Sequence, residues 1–344
     1  MLTAELPPDL ARAVELRLQA ADAGALGRAV AELSRRYRAG GGAAPVARSA
    51  ADVLAYAAYR LPATYAAAAA AAGQLRERVD GWRPASLLDL GSGPGAAAWA
   101  AVATWPSIER VTAVDAVPEM VALARALAAH AEHPALRAAA FEPGDLAAPR
   151  ELPPHDLVVL SYALGELPAD ARDALLRRAW AAARGAVLVV EPGTPAGYRA
   201  VIAARRTLLA AGARTVGPCP HDAACPMGGG DWCHFAVRLP RSAAHRLAKG
   251  AALGHEDEKF SWVAVSAAPT DAEPRILRHP QVRGGHVRLE LCTESGLRSV
   301  VVSKRDGDLF RRGRKASWGE TFPAAPETDE GRSGLEEGPP TAPG

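Results

Sequence analysis

Apolar residues recur at helical spacing along roughly the first eighty positions. Leu26, Val30, Leu33 and Tyr37 fall at i, i+4, i+7 and i+11, which is one face of a helix. The run Gly40–Gly42 ends that helix, and residues 50–60 predict another. Seven consecutive alanines, Ala66–Ala72, predict a further stretch of high helical propensity that buries little area per residue. From Ala85 the period changes. Short apolar runs at Ser86–Leu90, Val111–Val114, Asp156–Leu160 and Ala186–Val190 predict strands. Ala96–Thr104, Met120–His130, Asp170–Ala183 and Gly197–Ala211 predict helices between and after them. Strands alternating with helices predict an α/β fold with a parallel sheet covered on both faces. Pro218–Asp231 is irregular, and Phe260–Val265 is strand-like. Val287, Leu289 and Leu291 then alternate with Arg288, Glu290 and Cys292, ahead of the turn Thr293–Gly296 and the run Val300–Val302. That pattern predicts a β-hairpin.

The segment Leu87-Leu88-Asp89-Leu90-Gly91-Ser92-Gly93-Pro94-Gly95 ends a predicted strand and opens a predicted helix. Gly91 and Gly93 permit a tight turn and close backbone approach, and the helix start offers free N–H groups to a ligand. Asp115 ends the next strand, where a carboxylate can accept ribose hydroxyls. Asp145 precedes the third clear strand, where a side chain can cap an adenine amino group. Asp89-x-Gly-x-Gly-x-Gly after an apolar strand is similar to the first motif of class I S-adenosylmethionine methyltransferases. The spacing differs from the dinucleotide fingerprint Gly-x-Gly-x-x-Gly. The cofactor candidates are therefore Asp89, Gly91, Ser92, Gly93, Gly95, Asp115 and Asp145. Amino-group methyltransferases carry an Asn/Asp-Pro-Pro-Tyr/Phe segment after the fourth strand. This chain has Ser161-Tyr162-Ala163-Leu164-Gly165-Glu166 there. Tyr162 can stack on a base and Glu166 can take a proton, but no catalytic residue is assigned.

All four cysteines fit one metal site. Cys219, Cys225 and Cys233 lie in the Pro/Gly-rich stretch, and Cys292 lies in the predicted hairpin. Soft thiolates select zinc or iron–sulfur over hard cations. Zinc sites usually show tighter Cys-x-x-Cys pairs, so the looser spacing favours a cubane cluster, with zinc as the alternative. His221 and His234 are candidates for outer-shell positions or for replacing a cysteine.

Charge changes the picture locally. The net charge of the 344 residues is only +2, but residues 275–315 hold eleven Lys or Arg against four Asp or Glu, and residues 326–344 hold five acids and one Arg. A basic stretch followed by an acidic tail points to a nucleic-acid partner, with Arg311, Arg312, Arg314, Lys315 and Trp318 as contact candidates for RNA rather than DNA. Thirty-six of the forty basic residues are Arg, so arginine content by itself says little. The start of the chain has no secretory leader and no apolar run is long enough to span a membrane. The expectation is a cytoplasmic protein with reduced thiols.

Cys-Pro-His-Asp-x-x-Cys-Pro at 219–226 and Trp-Cys-His-Phe at 232–235 resemble the Rsm ribosomal family of small-ribosomal-subunit methyltransferase-like proteins. So do Arg60–Tyr65, Glu191–Pro195, Asp257–Ser261 and Arg314–Gly319. The resemblance covers about residues 50–320. It implies a class I methyltransferase (Rossmann-like) sheet and a 4Fe–4S cluster on Cys219, Cys225, Cys233 and Cys292. It also implies S-adenosylmethionine at Gly91, Gly93, Asp115 and Asp145, and a role on the small ribosomal subunit and its 16S rRNA, as assembly factor or methyltransferase. The expected organisation is a helical region at 1–80, a methyltransferase-like core at 81–215, a cysteine-rich loop at 216–240, a β-rich basic region at 241–322 completing the core, and a disordered acidic tail at 323–344.

Overall fold

The computed structural model describes residues 2–19, 22–38, 49–228, 230–240, 254–268 and 273–323. The expectations for the glycine run at 40–42, the side chain of Tyr37 and nearly all of the acidic tail lie outside the described residues.

The chain opens with a two-residue strand, β1 (Leu2–Thr3), followed by the helices α1 (Pro8–Gln19), α2 (Ala23–Arg38), α3 (Ala50–Tyr59) and α4 (Leu61–Arg78). The start of α3 is capped by Ser49, whose side chain accepts from the Asp52 N–H at 3.1 Å. The alanine run places small side chains along α4, with Ala66, Ala67, Ala68, Ala71 and Ala72 buried and Ala69 and Ala70 partly so. It packs against the equally alanine-rich α5 (Ala96–Thr104). Methyl-sized side chains let the two helices pack closely.

The core strands are β2 (Ser86–Leu90), β3 (Arg110–Asp115), β4 (Ala140–Pro143), β5 (His155–Ser161) and β6 (Ala183–Pro192). They alternate with α5, α6 (Pro118–Ala128), the short α7 (Pro134–Arg137) and α8 (Ala169–Ala182). These strands pair in parallel in the order β6-β5-β2-β3-β4. After α9 (Pro195–Ala210) come β7 (Arg214–Gly217), β8 (Phe235–Pro240) and β9 (His255–Ser266). β9 runs antiparallel to β6 and also pairs with β7 and β8. The parallel sheet expected from the alternating segment is present, and β9 extends it into a mixed sheet. β1 corrects the all-helical reading of the N-terminal region, because Leu2 pairs in parallel with Val237.

The remaining chain forms a second, smaller sheet of β10 (Arg275–Ile276), β11 (Gln281–Val282), β12 (His286–Thr293) and β13 (Gly296–Ser303), followed by α10 (Asp308–Lys315). The predicted hairpin is β12–β13, with Thr293 opposite Gly296. Its inward residues Val287, Leu289 and Leu291 form a separate core with Ile276, Val302, Phe310 and Phe322.

Candidate functional site

The order of the parallel strands reverses between β2 and β5, and doubly wound sheets bind ligands at such a point, beyond the strand carboxyl ends. A cleft of about 860 Å³ opens there. Gly91, Ser92, Gly93, Asp115 and Asp145 all line it. Gly91 has φ +75°, and a Cβ there would lie 2.5 Å from Cβ of Ala163, so only glycine lets the loop pass the end of β5. The Gly91 and Ser92 N–H groups donate to the Val114 carbonyl at 2.8 and 3.1 Å. Asp115 holds the loop from the next strand. Its Oδ2 accepts from the Gly93 N–H at 2.7 Å and its Oδ1 from the Val117 N–H at 2.9 Å. Each carboxylate oxygen keeps further acceptor capacity toward the cleft. Burial pushes the Asp115 carboxyl above its ordinary value, against the two backbone N–H groups that lower it. Asp145 sits exposed at the rim, with Oδ1 accepting from the Ala147 N–H.

Asp89 and Gly95 are corrected: they shape the loop from behind and do not line the cleft. Asp89 is fully buried, its Oδ2 accepts from the Ala98 N–H at 3.1 Å, and its Oδ1 has no partner. Gly95 has φ +89° and a Cβ there would press on the Phe141 ring at 3.3 Å. Burial pushes the Asp89 carboxyl from its ordinary 3.8 to about 7. The folded chain therefore retains a proton that the unfolded chain has already lost over that range. Its contribution to stability is full below about pH 4 and declines as pH rises through 7. Asp89→Asn is expected to flatten the fall in melting temperature between pH 5 and pH 8, measured by calorimetry. An unchanged slope would show that Asp89 is not the titrating group.

Sequence reasoning missed several lining residues. Tyr56 and Thr64 reach the cleft from α3 and α4, so the N-terminal helices form part of its wall. Thr64 lies within Arg60–Tyr65, one of the segments that carry the family resemblance, and Tyr56 lies outside it. Tyr162 is the only non-glycine residue with positive φ (58°) among the described residues, and it sits at the cleft. Its hydroxyl donates to Glu258 Oε1 at 2.8 Å, Arg60 pairs with the same oxygen at 3.2 Å, and the guanidinium lies 5.5 Å from the ring centroid. Glu166 also lines the cleft, from an exposed position. Behind it Glu191 is raised to about 7 by burial and accepts from the Leu164 N–H at 2.8 Å. A cleft edged by Asp115, Asp145 and Glu166 suits a ligand with hydroxyl donors and positive charge.

The second cavity, about 500 Å³, is lined by all four cysteines. Cys219 and Cys225 come from the β7–β8 loop, Cys233 from the residues just before β8, and Cys292 from β12 on the small sheet. Tyr198 on α9 places its hydroxyl 3.2 Å from Cys225 Sγ. His221 Nε2 lies 3.6 Å from Cys292 Sγ. His234 does not line the cavity: it stacks on Trp232 and meets Trp318 edge-on. The loop is fastened on several sides. Trp232 Nε1 donates to the Gly193 carbonyl at 2.9 Å, Ser261 Oγ to the Cys233 carbonyl at 2.8 Å, and the Thr215 N–H to Asp222 Oδ1 at 2.8 Å. Arg205 donates to the carbonyls of His221 and Ala223. Burial raises the thiols of Cys219 to about 11 and Cys292 to about 12. Among the described residues no three His, Cys, Asp or Glu side chains close on one point as a single ion requires.

The basic stretch is less free than its composition implies. Arg311 pairs with Asp308, Arg312 pairs with Glu273 at 3.3 Å, and Trp318 is wedged between His234 and His279, with ring centroids 5.0 Å away on each side. Arg314 and Lys315 are exposed. Among the described residues no helix is long and apolar enough to cross a membrane.

A parallel α/β sheet with a cleft at its switch point, a glycine loop and a strand-end acid defines a Rossmann-like α/β protein. The chain belongs to the family described as mitochondrial small ribosomal subunit Rsm22, whose model matches residues 50–323. It is 30% identical over 290 residues to the human ribosome assembly protein METTL17, mitochondrial, covering 78% of this chain and 62% of that protein. It is 27% identical over 293 residues to the Rsm22-cox11 tandem protein 2, mitochondrial, of Schizosaccharomyces pombe, covering 69% of this chain and 38% of that one. The chain thus spans less than two thirds of these relatives' length. The magnesium protoporphyrin IX methyltransferase of Synechocystis overlays with a TM-score of 0.40 at 12% identity, covering 68% of this chain and 94% of that chain. The cytoplasmic expectation is overturned, because the family and both relatives are named mitochondrial. It rested on the lack of a secretory leader, which bears only on export.

Proposed function

We propose that this chain is an S-adenosylmethionine-binding, methyltransferase-like protein that acts on the small ribosomal subunit during its assembly and holds a 4Fe–4S cluster on Cys219, Cys225, Cys233 and Cys292. The observation that carries this reading is that the family match at 50–323 spans every residue lining both cavities. In the cleft, Asp115 receives the ribose hydroxyls, Asp145 the adenine amino group, and the loop at Gly91–Gly93 the close approach of the ligand. Glu166 faces the positive end of the donor. Bound S-adenosylmethionine supplies an already activated methyl group, so orienting the acceptor is the protein's main task.

The four thiols suit a cluster body larger than one ion. Zinc is the alternative occupant of the same four thiolates. The cluster supplies cysteine–iron bonds joining the β7–β8 loop to the small sheet.

A non-catalytic assembly factor is the second reading. Ser161–Leu164 replaces the amino-methyltransferase segment, and the Tyr162 hydroxyl is committed to Glu258. Incubation of small-subunit precursors with labelled S-adenosylmethionine tests both. The expected result is cofactor binding together with co-sedimentation of the protein with the precursor. Label in 16S-type rRNA then establishes turnover, and its absence selects the assembly factor. Failure to associate with precursor subunits overturns the ribosomal role.

A further inference from the structure

We propose that Arg205 and Arg275 are the built-in counter-charge of a net dianionic iron–sulfur centre, and that they hold its reduction potential up. The inference rests on the cluster reading above and assigns two residues to it. Both arginines line the cysteine cavity, and no Asp or Glu lines it. They are only 4% and 2% exposed. Among the described residues neither guanidinium has a carboxylate within ion-pair distance. Arg205 donates to the His221 and Ala223 carbonyls, and Arg275 to Gln74 Oε1 at 3.0 Å and to the Gly319 carbonyl. The Nε of each is buried without a hydrogen-bond partner.

An unpaired guanidinium out of water costs several kcal/mol, and two facing one cavity repel each other. Four neutral thiols would leave that cost uncompensated. Four thiolates around a doubly positive 4Fe–4S core carry two net negative charges, which two guanidiniums cancel. The arginines come from separate elements, Arg205 from α9 and Arg275 from β10, so they reach the centre from different parts of the fold. One-electron reduction by dithionite adds one negative charge to the core and moves no proton. Fixed positive charge favours that product, and net charge and hydrogen bonding are among the properties that set cluster potentials.

Anaerobic redox titration of the purified chain with dithionite, followed by visible absorbance and electron paramagnetic resonance, tests the assignment. Arg275→Gln is expected to disfavour reduction at least tenfold, about 59 mV for a one-electron couple. Arg275→Lys, which keeps the charge, is expected to stay near the wild-type value. Arg205→Gln supplies the same comparison should Arg275→Gln not fold. A merely structural arginine would change iron retention or melting temperature and leave the potential of the loaded fraction in place. Iron-loaded Gln variants with the wild-type potential overturn the charge role and leave the cluster reading standing. A wild-type protein that contains zinc or no metal overturns the cluster reading, and this inference with it.

Discussion

Cys292→Ser is expected to give a colourless protein that has lost its iron and melts roughly 4 °C lower, from about 3 kcal/mol of lost stability. The expectation follows from where the residue sits. Cys292 is on β12, whose core is separate from that of the main sheet, yet its side chain lines the cavity formed by the β7–β8 loop. Metal binding is coupled to folding, so removing this ligand loosens the small sheet from the loop as well as the metal from the protein. Iron analysis, absorbance near about 410 nm and calorimetry report the two effects separately. A variant with full iron content and an unchanged melting point would remove Cys292 from the ligand set.

Asp115→Ala is expected to weaken S-adenosylmethionine binding about 100-fold, or roughly 3 kcal/mol, measured by titration calorimetry. The carboxylate has two tasks. It fastens the Gly93 and Val117 N–H groups, and it leaves acceptor capacity toward the cleft. Alanine releases the loop and deletes the ribose acceptor together. Asp145→Ala, at an exposed rim position, is expected to cost about tenfold. Wild-type affinity in Asp115→Ala would place the cofactor elsewhere.

Much of this site was legible because its signals are local. A glycine loop between strand and helix, a strand-end Asp and an alternating hairpin each show within about ten residues. The convergence of Cys292 with the other thiols rested on counting four cysteines without a remainder. What escaped was set by pairing between distant segments. β1 has two residues and no period of its own, and β4 buries only Phe141, too little for an apolar run. The reversed direction of β9 is encoded in its partners β6, β7 and β8, not in its own pattern. Arg60, Glu258 and Tyr162 meet from three separate stretches of chain. Arg205 and Arg275 look, in so arginine-rich a chain, like any solvated arginine until their burial is seen.

The placement of β9 between β6 and β8 bears on how the chain matures. Translation releases β6 some sixty residues before β9 begins, an interval of about 3–12 s at ordinary elongation rates. Throughout it, the apolar run Ala186–Val190 presents an open margin of unsatisfied amides and carbonyls. A nascent chain of this kind has to be shielded from its neighbours until His255–Ser266 emerges and zips the margin shut.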